Sequence, residues 1–168
     1  MLLLALPHPA SAKPLANPFA DNLEPHPGRL VLNLQMASLH EEGLGLAVGY
    51  MPWGFVEIKA SYAYWTEHSV AGLLKFNILP RAHLTPYIPL GYSLRIAKLP
   101  YGLRLMTHSV FAGVGLQARF LERFFVGGEL TANVGIMQQL KDKSEIHEFA
   151  PSERFNVRAG FLAGVYLL

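Results

Sequence analysis

The stretch VGGELTANVGIMQQL, residues 126–140, decides the fold. Val126, Gly128, Leu130, Ala132, Val134 and Ile136 form one alternating set, which is apolar. Gly127, Glu129, Thr131, Asn133, Gly135, Met137 and Gln139 form the other, which is mostly small or polar. A period of two places the sets on opposite faces of a β-strand. Soluble strands commonly run about 5–6 residues. A longer strand, apolar along one whole side, has the form of a wall element in a membrane-spanning barrel.

Outward from this stretch the alternation recurs. It predicts seven more strands, at 29–39, 44–51, 55–66, 69–79, 87–98, 109–121 and 156–168. Between them lie turns at 52–54, 80–86 and 122–123, and loops at 40–43, 66–68, 99–108 and 142–155. No helical period intervenes, so the natural topology is an antiparallel up-and-down meander. Eight such strands can close into a barrel, which removes both sheet edges.

Composition narrows the class. The chain has 168 residues, 51% of them hydrophobic and 15% charged. Even so, no run reaches the ~18–20 apolar residues of a transmembrane helix. The apolar content is therefore carried by the alternation. A formal net charge of +2 without a basic cluster argues against nucleic acid as a partner. The absence of cysteine excludes disulfides and thiolate zinc sites, and it suits an exported protein. Residues 1–12, with a short leucine core and Ala10-Ser11-Ala12, are expected to be a signal peptide, its start clipped or misassigned. Residues 13–28 carry Pro14, Pro18, Pro25 and Pro27 and read as an extended linker, leaving 29–168 for the barrel.

Alternation does not say which set faces inward. A soluble lipocalin-like or avidin-like barrel buries the apolar set, whereas a membrane barrel turns it outward. Three features favour the membrane. The polar set is rich in glycine (45, 49, 91, 113, 115, 127, 135, 160 and 164), which suits a narrow interior better than a solvated face. The charges in that set are few and of both signs: Glu57, Glu129, Lys59, Lys75, Arg95, Arg119 and Arg158. The apolar set carries Tyr50, Tyr62, Tyr64 and Phe120 near strand ends, where an interfacial girdle belongs.

Over residues 29–168 the chain resembles the small eight-stranded outer-membrane barrels, the OmpX-like proteins and the transmembrane domain of OmpA. The resemblance is carried by Lys75-Phe76-Asn77-Ile78-Leu79-Pro80, by the run from Thr85-Pro86-Tyr87 to Gly91-Tyr92-Ser93, and by the terminal strand 160–168. Pro89 replaces a more usual small residue and predicts a bulge in the fifth strand. The last residue, Leu168, is apolar where the family's is aromatic. The resemblance implies the outer membrane of a Gram-negative cell, contact with its lipid and lipopolysaccharide, and assembly through the final strand. It also implies both termini and the three turns on the periplasmic side, with the loops external. The fold by itself selects no activity.

Three sets of residues carry candidate chemistry. Glu57, Lys59, Lys75, Arg95, Arg119, Glu129 and Arg158 are expected to form a paired lumen network, because an unpaired interior charge is costly. The same excess of basic groups would make a narrow pore prefer anions. His40, His68, His108 and His147 lie in or beside the four loops, where convergence would make a metal or pH-sensitive site. Ser38 and His40, beside Glu41 and Glu42, share an outward parity that permits a lipid A deacylase-like pair, although the order is reversed from that pattern. Trp53 and Trp65 read as interface or packing residues, and 141–153, with its mixed charge, as a contact for a partner. Neither a nucleotide nor a cofactor motif is present. The expectation is a non-enzymatic, eight-stranded transmembrane β-barrel that needs no cofactor, with a structural or docking role.

Overall fold

Arg29–Ser38 (β1) sets the pattern for every strand: Leu30, Leu32 and Leu34 are exposed on one face, while Val31 and Asn33 are buried on the other. The remaining strands are Gly43–Trp53 (β2), Val56–Tyr64 (β3), His68–Asn77 (β4), Leu84–Lys98 (β5), Arg104–Phe120 (β6), Phe124–Asp142 (β7), Glu145–Phe149 (β8) and Phe155–Leu167 (β9). The computed structural model describes residues 28–38, 43–64, 67–120, 123–142, 145–150 and 154–167. The expected signal segment and nearly all of the linker lie outside them, as do His40, Glu41, Glu42, Trp65 and Leu168.

All pairings are antiparallel. Sequence neighbours pair from β1 through β7, and β9 closes the ring by pairing with both β7 and β1. The result is a closed barrel of eight strands, with β8 as an addition outside the ring. Among the described residues, no helix is long and apolar enough to cross a membrane. A barrel satisfies its backbone through interstrand bonds and crosses with strands instead.

The apolar set faces out. Leu46, Val114 and Phe161 are 66%, 62% and 65% exposed, whereas Glu57 and Lys75 on the inner face are 0% and 1% exposed.

Four local details depart from the expected strands. The loop expected at 99–108 shrinks, because β6 starts at Arg104 and pairs with Lys98; a short turn at Pro100–Gly102 joins them. Tyr101, at φ 63, and Gly102, at φ 80, supply the left-handed residues that so tight a reversal needs. The loop expected at 142–155 contains β8, a hairpin arm in which Gln138 pairs with Phe149 and Asp142 with Glu145.

Strand five is not bulged at Pro89. The register from Tyr87↔Gly115 to Leu90↔Ala112 is unbroken, and only the pairing of Ile88 and Pro89 toward β6 is skipped, since proline has no N–H to give. A bulge lies instead in β7, between the pairs His108↔Met137 and Ser109↔Gly135, and a second register shift lies at the β2–β3 turn, between Tyr50 and Trp53. In β7 one extra residue, Ile136, flips the parity beyond the bulge. Met137 and Gln139 therefore leave the face of Glu129, where alternation had placed them, and Gln138 turns inward, buried, to donate to Thr107 Oγ1 at 3.1 Å.

Candidate functional site in the barrel lumen

The turn half of the lumen is bridged from wall to wall. Glu57 on β3 and Lys75 on β4 are cross-strand partners, with Lys75 Nζ 3.1 Å from Glu57 Oε2. Lys75 also donates to Gln117 Oε1 on β6 at 2.5 Å. Gln117 Nε2 in turn donates to the Tyr166 hydroxyl on β9 at 2.5 Å. Lys75 Nζ stands 4.4 Å from the Tyr87 ring centre and 5.6 Å from that of Phe125, so both rings add cation–π attraction. Tyr87 donates to Glu129 Oε2 at 3.0 Å. Arg119 donates to the Pro80 carbonyl at 2.7 Å and lies 5.2 Å from the Tyr166 ring centre. Val31, Met51, Phe125 and Leu162 pack with Tyr87 and Tyr166 as an apolar seal.

Glycines make the space for these long side chains. A Cβ on Gly49 would stand 2.6 Å from Glu57 Oε1. One on Gly115 would enter the Tyr87 ring. Glycine on the inner face is thus the steric counterpart of the tyrosine and carboxylate beside it.

The loop half is different. A polar cavity of about 210 Å³ is lined by Glu67, Arg95, Thr107, Ser109, Asn133, Gln138 and Asn156, among others. Arg95 Nε lies 3.7 Å from Glu67 Oε2. At that distance and with partial exposure, the pair is a weak one.

Of the seven predicted lumen charges, Glu57, Lys75, Glu129 and Arg119 make the contacts above. Lys59 is buried within electrostatic range of Glu57 and Glu129. Arg158 stands on β9 opposite Thr131, one inner-face step toward the loops from Glu129. Arg95 belongs to the upper cavity. Sequence reasoning missed Tyr87, Gln117, Tyr166 and Glu67 as members. For the first three the signal was available: inner parity, with Gly115 in register opposite Tyr87.

Among the described residues, His68, His108 and His147 do not converge. His68 and His108 lie on the outer wall, where each shares a hydrogen bond with a tyrosine: His68 Nδ1 with Tyr62 at 2.7 Å, and His108 Nδ1 with Tyr92. His147 is on β8, paired with Leu140. Outward parity at strand ends, which had already assigned Tyr62, applies equally to His68 and His108 and takes them away from the mouth. Among the described residues, no three His, Cys, Asp or Glu side chains gather to hold a metal. Of the candidate Ser38–His40 pair, Ser38 is the last residue of β1 and His40 is outside the described residues.

No family model matches the chain, and no curated protein matches it. Among solved structures, the crystal structure of the N-terminal β-barrel domain of Pseudomonas aeruginosa OprF is similar to it, with a TM-score of 0.62 at 17% sequence identity. The match covers 84% of this chain and 98% of that one. The likeness is one of fold.

Proposed function

We propose that this chain is an integral protein of a Gram-negative outer membrane, a plugged barrel that anchors or docks in the envelope. One observation carries the reading: the large apolar side chains are on the outside of a closed barrel while its charges are buried within. In water that arrangement exposes a whole cylinder of leucine, valine and phenylalanine, far beyond the few hundred Å² of apolar patch that soluble monomers tolerate. In a bilayer it is the expected solvation.

The belt has the right height. Trp53 stacks on Phe55 and Phe120 on Phe124 at the turn end, with centroids 6.2 Å apart in both pairs. Tyr62, Tyr64 and Tyr92 gather with His68 and His108 at the loop end. Phe55 and Tyr64 are nine residues apart along the chain. At about 3.3 Å per residue and a tilt of about 40°, that distance spans about 23 Å of depth, close to the ~25 Å apolar band of such barrels.

The wall-to-wall bridge through Lys75 and Gln117 favours a closed lumen over the alternative, a narrow pore of weak anion preference. Conductance separates them. The barrel reconstituted in planar bilayers is expected to stay silent, both as wild type and as Glu129→Ala. Steady anion-selective steps in the wild type would overturn the plugged reading. A pull-down from detergent-solubilised membranes then tells a lone barrel from a subunit of a larger complex. A chain recovered soluble without detergent would refute the membrane assignment itself.

A further inference from the structure

Three cations stand in one row on the outer wall at the loop end. Lys98 on β5 pairs with Arg104 on β6, and Arg104 pairs with Lys141 on β7. Cross-strand partners share a face, with Cβ atoms about 4.5–5.5 Å apart, and like charges so placed destabilise a sheet. The row contains two such contacts. Each side chain is exposed, and among the described residues no ion pair joins any of them. On the same face Glu148 is one row below, and it accepts from Gln139 at 2.8 Å.

The bulge at Ile136 creates the row. Without that extra residue Lys141 would share the parity of Glu129 and face inward; with it, Lys141 is set beside Arg104. The row beneath is His68, Ile96, Met106 and Gln139, and below that come Leu94, His108 and Met137, on the outward face. Each cation therefore lies one outward step along its own strand, about 5 Å of depth, beyond Ile96, Met106 or Gln139. That is the headgroup layer if the belt below is in hydrocarbon.

We propose that Lys98, Arg104 and Lys141 form a binding site for the phosphate of an anionic lipid headgroup in the leaflet at the loop end. The guanidinium of Arg104 offers the forked donors that match phosphate oxygens, and the two flanking ammoniums add point charges. A bound anion converts two repulsive cross-strand contacts into attractive ones. Its acyl chains run down the apolar wall formed by Leu94, Tyr92 and Val110. The site deepens the membrane reading and rests on it.

The test uses the full chain reconstituted in nanodiscs of phosphatidylcholine with a minor fraction of phosphatidylglycerol. Native mass spectrometry reads which lipid stays bound. The wild type is expected to retain phosphatidylglycerol preferentially. At about 1 kcal/mol per basic residue near the surface, each of Lys98→Gln, Arg104→Gln and Lys141→Gln lowers the preference about five-fold, and the triple variant about a hundred-fold. Arg81→Gln, exposed at the opposite end, leaves it unchanged. The single variants carry the test if the triple one does not fold. Equal retention of both lipids by a folded wild-type barrel, or an undiminished preference in the variants, overturns the site and leaves the membrane reading standing. A chain that does not enter the bilayer overturns both.

Discussion

Replacing Lys75 by methionine probes the lumen plug most directly. The substitution keeps the length of the side chain but leaves Glu57, at 0% exposure, without the ammonium 3.1 Å away. At that separation the gross attraction is about 5 kcal/mol with an effective dielectric near 20. Breaking a buried pair on one side costs about 3–5 kcal/mol. Lys59, also buried and in range of Glu57, compensates part of the loss and sets the expectation at about 3 kcal/mol. Gln117 loses its donor from Lys75 as well, for about 1 kcal/mol more. The double variant Glu57→Gln/Lys75→Met removes both charges and is expected to recover all but about 1–2 kcal/mol, because the pair's own net worth is small once desolvation is counted. Urea unfolding of the barrel in lipid vesicles measures both, with the compact form followed by its gel mobility without heating. A loss below about 1 kcal/mol for Lys75→Met would show Glu57 to be hydrated and the plug reasoning to be wrong; so would a double variant no more stable than the single one.

Other consequences are open to the same assay. Gly115→Ala drives a methyl into the Tyr87 ring and is expected to cost about 1–3 kcal/mol, with Tyr87→Leu in the same chain relieving it; a neutral Gly115→Ala contradicts the inner-face packing. Val114→Arg, on the outer wall, is expected to cost about 2–4 kcal/mol in a bilayer, whereas at an exposed position of a water-soluble barrel it would be nearly silent. Zinc and copper titrated into the folded barrel are expected to give no saturable heat, since His68 and His108 are engaged with tyrosines on the outer wall and His147 is on the separate β8 arm. A stoichiometric isotherm would place a site among residues other than those described.

Alternation alone determined the ring of eight strands and the membership of its faces along most of its length. Side chains on a strand alternate whatever the strand's neighbours do, so Leu30, Leu32 and Leu34 had to share a face with the same certainty as Glu57 and Lys59. Glycine on the charged face then pointed to a narrow interior, and the structure supplies the reason in Tyr87 opposite Gly115 and Glu57 beside Gly49. Three things awaited tertiary structure. A bulge is one added residue, and in Gly135-Ile136-Met137 either apolar residue can face out, so nothing local marks where the parity of β7 changes. Contacts across the lumen, such as Lys75 to Gln117, 42 residues apart, depend on the barrel's radius and stagger, which no single strand encodes. The meeting of Lys98, Arg104 and Lys141 depends on both, because it takes the register of three strands and the bulge in one of them to bring these charges side by side.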